Sequence, residues 1–365
     1  MKLFTAILCY FMFTTAPVQA QSEIDDWSRA SPTEAGFDGA AIDALIADLK
    51  ADRQLRGLHS LLIVRGGKLV VEEYFDGWTG DRLHTLQSVS KSFTSAIVGI
   101  AIARGDFEGV DENILAFFPK YDIKNLDDRK RGIRLEDLLT MRSGTDYDEG
   151  FRGSPHSRLN GLARDWDRFY LDRPMEADPG TRFQYDSGAV ILTSSLFQRR
   201  TGMHADAYMA EHLFKPLGIN AYRWDKNAED HPHTGGGLYL TPRDMAKFGQ
   251  LYLQKGKWGE QQIVSENWID ASTSQHVDFD RRRWFGHGTG YAYWWWIMEP
   301  DPAGAGTEAI YAALGHNGQH IFVVPEHDLV VVTTAGIGGS MMHKPIDVLY
   351  THILPAIMRE DGGLK

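Results

Sequence analysis

Hydrophobic and polar positions near the beginning of the chain follow first a helical period and then a β period. Between residues 37 and 52, apolar side chains recur three or four positions apart, which predicts an amphipathic helix. Two apolar runs follow, at residues 58–64 and 69–75, with Gly66-Gly67 between them. Two β-type runs around a glycine turn predict a β-hairpin.

Helical patterns dominate the middle of the chain, from residue 88 to about residue 224. Clear examples are residues 135–141, 189–200 and 205–214. Residues 145–160 are polar and contain glycine, so we expect a long loop there.

Strand patterns return in the last third, at residues 292–298, 308–314, 320–325 and 329–334. Thr241-Pro242 is suited to begin a helix that runs through Leu253, and residues 345–358 predict a closing helix. Strands at both ends with a helical middle predict one sheet built from the two termini and an inserted helical region. We therefore expect an α/β lobe of residues 21–85 and 233–365, and a helical lobe of residues 86–232.

The first twenty residues have the features of a secretory signal peptide. Lys2 precedes an uncharged apolar run, and Val18-Gln19-Ala20 ends in a small residue suited to cleavage. We expect a secreted or periplasmic protein, with a retained N-terminal anchor as the alternative. Cys9 is the only cysteine and lies inside this segment, so the mature chain would have no thiol chemistry.

Charge and motif content exclude several classes of partner. The net charge of −11 argues against nucleic acid and anionic membrane surfaces. No integral membrane segment is expected after signal cleavage, because no later apolar run is long enough. His231-Pro232-His233 lacks a third ligand at a suitable spacing, so we expect no metal. Phosphate-loop and dinucleotide-binding motifs are missing, so we expect no cofactor. The oligomeric state stays open.

One short run, Ser88-Val89-Ser90-Lys91, carries the strongest chemical signal. It opens an apolar helical stretch, so Ser88 and Lys91 share one face of the first turn. A serine hydroxyl is a weak nucleophile until a base takes its proton, and a desolvated lysine can be that base. The alternative is a helix-capping serine beside a surface lysine.

Two later segments supply possible partners. Tyr185-Asp186-Ser187 lies on a turn just before a predicted helix and presents a phenol and a hydroxyl together. Gly315-His316-Asn317-Gly318 lies at the end of a predicted strand, where glycines allow the strand edge to approach a substrate.

With these residues the chain resembles the serine β-lactamase and penicillin-binding-protein superfamily, in its class C-like branch. The Tyr-Asp-Ser variant and the 315–319 turn resemble in particular the 6-aminohexanoate-oligomer hydrolases and esterases of that branch. The resemblance covers nearly the whole mature chain. It implies an α/β fold of the DD-peptidase type, with an antiparallel sheet flanked by helices, an inserted helical lobe and a site between the lobes.

The resemblance also implies residue roles. Ser88 would be the nucleophile, Lys91 its base and Tyr185 the proton shuttle to the leaving group. The oxyanion hole would use the backbone N–H groups of Ser88 and His316. The remaining residues implied in binding substrate are Gly315, Ser187, Asn317 and Gly318. We expect the pH dependence of the rate to follow Lys91 and Tyr185 titrating as a coupled pair.

The implied function is hydrolysis of an amide or ester bond in a small-molecule substrate through an acyl-enzyme. β-Lactamases carry Lys-Thr-Gly where this chain has Ala313-Leu314-Gly315, so the cation that attracts a substrate carboxylate is missing. A register shift would place His316-Asn317-Gly318 there instead. Two alternatives stay open. One is a β-lactamase or D-alanyl-D-alanine carboxypeptidase that acts on peptidoglycan-type substrates, and the other is a non-catalytic protein that binds acyl ligands.

Overall fold

A computed structural model describes residues 27–51, 55–149, 154–162, 165–278, 286–302 and 307–358. The predicted signal peptide lies outside the described residues. No helix in these ranges is long and apolar enough to cross a membrane.

The described strands build an eight-stranded antiparallel sheet in the order β2-β1-β13-β12-β11-β10-β9-β8. Its members are β1 (Leu58–Arg65), β2 (Lys68–Tyr74), β8 (Val277–Asp278), β9 (Gly288–Tyr291), β10 (Trp296–Met298), β11 (Ile310–Gly315), β12 (Gln319–Val324) and β13 (Leu329–Ala335). Because β1 pairs with β13, the first and last strands meet inside one sheet. This confirms the prediction of a single sheet assembled from both chain ends.

Two smaller sheets lie outside the main one. The first has the order β3-β5-β4 and the second pairs β6 with β7. Their strands are β3 (His84–Thr85), β4 (Arg223–Trp224), β5 (Leu238–Leu240), β6 (Lys257–Trp258) and β7 (Gln261–Gln262). Strand β3 leads directly into the Ser88 segment, so its pairing with β5 fixes the approach to that residue.

Most of the helices lie between β2 and β8 in the sequence. The described α-helices are α1 (Gly39–Ala51), α2 (Ser90–Arg104), α3 (Asp128–Arg131), α4 (Leu135–Leu139), α5 (Pro155–Leu162), α6 (Trp166–Leu171), α7 (Ser187–Thr201), α8 (Ala205–Met209), α9 (Pro242–Leu253), α10 (Glu266–Thr273) and α11 (Lys344–Val348). A π-helix, Ala210–Phe214, continues α8. The boundaries of the two predicted lobes stay a prediction.

Helix α9 shows how the sequence sets the packing of helix on sheet. Thr241 caps it by accepting a hydrogen bond from Asp244 N–H, and Pro242 occupies the first turn, as expected. A Cβ added at Gly249 would lie 2.5 Å from Val330 Cγ1 on β13. The missing side chain therefore lets the helix backbone approach the sheet closely.

Three predicted elements differ from the structure. Residues 155–160 of the expected loop belong to α5. The expected strand 292–298 is a strand only from Trp296, because the Trp294 ring N–H donates to Leu138 O and Trp294 adopts a positive φ of 61°. The expected closing helix is α only in α11 and continues as a π-helix (Leu349–Ile353) and a 3₁₀ turn (Leu354–Ala356) that contains Pro355.

Gly249→Ala should destabilise the protein by about 1–3 kcal/mol, because the new methyl overlaps Val330 in a packed interior. Urea unfolding followed by circular dichroism measures the change. Adding Val330→Ala removes the overlapping methyls, so the double variant should lose less stability than the sum of the two single changes. Strict additivity of the two changes would contradict this packing.

Candidate active site

Ser88 lies on a tight turn between β3 and α2. The turn is a 3₁₀ helix, Gln87–Val89, that runs straight into α2. Gln87 has a φ of 48°, a left-handed conformation that costs free energy in a non-glycine residue. The Ser90 hydroxyl donates to Gln87 O at 2.7 Å and so holds this turn. The Ser88 side chain is left partly exposed at the helix start.

Lys91 is buried directly behind Ser88. Its Nζ donates to Ser88 Oγ at 2.9 Å and to the Gly235 carbonyl at 2.6 Å. Burial lowers the pKa of Lys91 from 10.5 to about 8, while the negative charges of Glu149 and Asp186 work against this decrease. A large share of the amine is therefore neutral near pH 8, as a proton acceptor for Ser88 requires.

Tyr185 completes the group from the other side. The Lys91 Nζ lies 5.0 Å from the centroid of its ring, and the ring stacks on Trp296 at 5.8 Å. Burial and the charge of Glu149 raise the pKa of Tyr185, whereas a hydrogen bond with the Ser88 hydroxyl works in the opposite direction. The phenol is therefore protonated at neutral pH and faces the Ser88 oxygen.

The backbone around Tyr185 is fixed by Asp186, the N-cap of α7. Its carboxylate accepts from Ala189 N–H at 2.9 Å and from the Tyr170 hydroxyl at 2.6 Å. Burial raises the pKa of Asp186 to about 7. Ser187 is the first residue of the helix, and its backbone N–H donates to Glu149.

The end of β11 reaches the Ser88 turn because Gly315 has no side chain. A Cβ there would overlap Leu86 O. His316 follows at the cleft with an exposed side chain. Asn317 and Gly318 form the hairpin turn into β12, and a Cβ added at Gly318 would lie 3.0 Å from Ala335.

These elements enclose a cleft of about 730 Å³. Of the residues singled out in the sequence, Ser88, Tyr185, Ser187, Gly315 and His316 line it, with Lys91 behind Ser88. Asn317 and Gly318 are not among the lining residues of the described chain. The other walls contain aromatic, histidine and glycine residues, which include Trp166, Trp296, His156, His233, Gly235, Gly236 and His343.

Sequence reasoning missed two groups at this site. Glu149 lies in the predicted loop, and only its contact with the backbone of Ser187 at the start of α7 reveals its place in the cleft. Gly235 belongs to the run Gly235-Gly236-Gly237, and it contacts Lys91 through its main-chain carbonyl. A carbonyl has no side-chain signature, so its contact with Lys91 is visible only in three dimensions. His233 lines the cleft, and the described residues contain no cluster suited to a metal ion.

Comparison with known proteins decides the family. The sequence profile of the family described as "Beta-lactamase" matches residues 42–347. The chain belongs to the beta-lactamase family. Membership confirms the resemblance found in the sequence. The protein belongs to a family of hydrolases and has a penicillin-binding-protein-like fold.

Relatives of this beta-lactamase-family protein include a 6-aminohexanoate-dimer hydrolase from Paenarthrobacter ureafaciens. The two are 25% identical over 327 residues, which cover 84% of this chain and 80% of the relative. A Bacillus anthracis protein provisionally named as a 6-aminohexanoate-dimer hydrolase shares the fold with a TM-score of 0.71 and 20% identity, over 90% of this chain and 86% of its own. EstCE1, a hydrolase with promiscuous acyltransferase activity, has a TM-score of 0.72 and 17% identity, over 87% of this chain and 100% of its own.

The electrostatic coupling between Glu149 and Lys91 predicts a measurable change. In Glu149→Gln the titration midpoint of Lys91 should fall below its parental value, because a negative charge that favours the ammonium form is removed. The midpoint is read from the ¹³Cε shift of ¹³C-lysine-labelled protein, with the Lys91 signal assigned by its loss in Lys91→Arg.

Asp270→Asn is the matched control, because it removes a carboxylate that pairs with Lys255 at 2.7 Å on an exposed face of the protein. This change should leave the Lys91 midpoint where it is in the parent. An unchanged midpoint in Glu149→Gln would show that the carboxylate does not act on Lys91.

Proposed function

We propose that this protein is a serine hydrolase that cleaves a linear amide or ester bond through an acyl-enzyme on Ser88. The observation that carries the proposal is the 2.9 Å contact between Lys91 Nζ and Ser88 Oγ in a cleft also lined by Tyr185. The similarity to a 6-aminohexanoate-dimer hydrolase and to a hydrolase with acyltransferase activity supports the reaction type.

Acylation uses the neutral form of Lys91. The amine accepts the proton of Ser88 as its oxygen attacks the carbonyl carbon of the substrate. The negative charge that develops on the carbonyl oxygen is held by the backbone N–H groups of Ser88 and His316, and removing one such donor typically costs about 3 kcal/mol. The carbon–nitrogen or carbon–oxygen bond then breaks, and the leaving group takes a proton from Tyr185, which is resupplied from Lys91.

Deacylation repeats these transfers with water. A water molecule attacks the acyl carbonyl as its proton passes to the Tyr185 oxygen and the phenol proton passes to Lys91, and Ser88 leaves with a proton returned from Lys91. The acid product and the free hydroxyl restore the starting state. The raised pKa of Tyr185 suits this role, because the phenol is protonated whenever it is not in transfer.

The charge distribution of the cleft favours substrates without a carboxylate near the scissile bond. Lys226 also lines the cleft, but its amine pairs with Asp206 at 2.7 Å. Burial and the charge of His316 lower the pKa of His343, so this imidazole is mainly neutral at neutral pH. Glu149 adds negative charge to the same cleft. The proposal includes export directed by residues 1–20.

Ser88→Ala should abolish the covalent adduct. Mature protein is incubated with p-nitrophenyl esters, short linear amides, nitrocefin and D-Ala-D-Ala peptides, and intact mass is recorded. The parent should gain the mass of the acyl group, and Ser88→Ala should not.

Ser187→Ala removes a second hydroxyl from the same cleft and should still form the adduct. An adduct retained in Ser88→Ala would overturn the assignment of the nucleophile. Binding of acyl ligands by the parent without any adduct or turnover would favour the non-catalytic alternative.

The second expectation concerns substrate choice. The kcat/KM for nitrocefin, which carries a carboxylate, should lie roughly 100-fold or more below that for an uncharged p-nitrophenyl ester, a difference of about 2.7 kcal/mol. His316→Lys adds a permanent cation at the exposed edge of the cleft and should raise nitrocefin turnover, whereas His316→Gln should not. Equal efficiency of the parent on both substrates would favour the β-lactamase alternative.

A further inference from the structure

The second acceptor of Lys91 is a main-chain group and not a side chain. Its Nζ lies 2.6 Å from Gly235 O. Ser187, the last residue of the Tyr-Asp-Ser segment, uses its N–H to bind Glu149. In the part of the chain that the structure describes, no hydrogen bond joins the Ser187 hydroxyl to Lys91. The direction of the Lys91 amine therefore depends on where the backbone of the 234–238 segment is held.

Two buried threonine hydroxyls hold this segment. Thr234 Oγ1 donates to Val190 O on α7 at 2.6 Å. Thr94 Oγ1, one turn after Lys91 on α2, lies 3.1 Å from Thr234 O and 3.0 Å from Ser90 O, so it shares its proton between two carbonyls. Both threonines are fully buried, with 0% of their surface exposed, so water cannot replace a hydrogen bond that either hydroxyl loses.

A third contact closes the arrangement. The Ser90 hydroxyl accepts from Leu238 N–H at 3.2 Å while it donates to Gln87 O at 2.7 Å. One hydroxyl thus joins the left-handed turn before Ser88 to the segment that contains Gly235. The turn that contains Ser88, helix α2 and residues 234–238 are therefore joined to one another by hydrogen bonds.

We propose that Thr234 and Thr94 are positioning residues that aim the Gly235 carbonyl at Lys91, so that the amine is directed at Ser88 Oγ. This inference rests on the proposed function, because it assigns a purpose to the direction of the amine. In the described structure neither threonine hydroxyl makes a hydrogen bond to the Ser88 or Tyr185 side chain. Their effect passes through the main chain, at residues 234–235 for both threonines and also at Ser90 for Thr94.

The charged and titratable groups around Lys91 come from several elements. Glu149 and Asp186 favour its ammonium form. Burial lowers the pKa of His156 on α5 and of His233, the charge of Lys91 acts in the same direction, and the neutral phenol of Tyr185 lies against the amine. The substitutions below leave all five groups in place, so a change in titration reports the loss of the carbonyl contact.

The test compares Thr234→Val with Thr193→Val. Thr193, also fully buried, donates to the same carbonyl, Val190 O, at 2.5 Å, but it lies within α7 and has no link to Gly235 in the described structure. Thr234→Val should lower kcat/KM for a p-nitrophenyl ester about tenfold, whereas Thr193→Val should stay within about twofold of the parent. Thr234→Ser keeps the hydroxyl and should recover most of the activity.

The pH profile separates positioning from a general loss of stability. Without a fixed carbonyl the ammonium form of Lys91 loses an acceptor, so its pKa should fall. The acid limb of the kcat/KM profile should therefore move to lower pH in Thr234→Val, and the plateau value of kcat/KM should be reduced. In Thr193→Val the acid limb should not move. Equal effects of the two changes, or an unmoved limb, would overturn the proposal.

Two further measurements keep the outcome decisive. If Thr234→Val does not fold, Thr94→Val and Thr94→Ser take its place, with the same limb shift expected only for the valine. The Lys91 midpoint from the ¹³Cε titration does not depend on catalysis. A Lys91 midpoint that falls in Thr234→Val and not in Thr193→Val supports the positioning role, even if Ser88→Ala were to keep its adduct. Failure of the proposed function and failure of the positioning role are therefore distinguishable.

Discussion

The burial of one amine governs the site. An ammonium group removed from water must be stabilised by close acceptors or give up its proton, and Lys91 does part of both. Its two oxygen neighbours, the Ser88 hydroxyl and the Gly235 carbonyl, are too weak to hold the charge as a carboxylate would. The amine is thereby left near the point at which it exchanges protons with a neighbouring hydroxyl. Glu149 and Asp186, placed nearby without an ion pair to it in the described residues, limit how far the pKa falls.

The fold meets this requirement by bringing together segments that are far apart in sequence. Helix α2 supplies the lysine, the turn before it supplies the serine, and the turn before α7 supplies the phenol. Gly235, just before β5, supplies the carbonyl, and the end of β11 at Gly315 covers the turn that contains Ser88. The antiparallel sheet, with β1 beside β13, anchors the last of these segments to the first part of the chain. In each case secondary structure fixes the position of the backbone from which the group projects.

Much of this arrangement could be predicted from the sequence, because its signals are local. Helix α9, the hairpin of β1 and β2, and the last three strands follow from apolar spacing and turn residues. The order of the Ser-Lys, Tyr-Asp-Ser and Gly-His segments indicated the family. What escaped prediction depends on long-range contacts. The Trp294 indole binds Leu138 O, so the strand begins only at Trp296. Glu149 is placed by its contact with Ser187, and Gly235 acts through its carbonyl.

The close approach of Gly315 to Leu86 O has a consequence for how the protein is made. The strand that covers the Ser88 turn is translated long after the turn itself. A partly synthesised polypeptide therefore holds its serine and lysine without the surrounding enclosure that desolvates them. We expect the enclosed environment of Ser88 and Lys91 to form late in biosynthesis, when the final strands join the sheet.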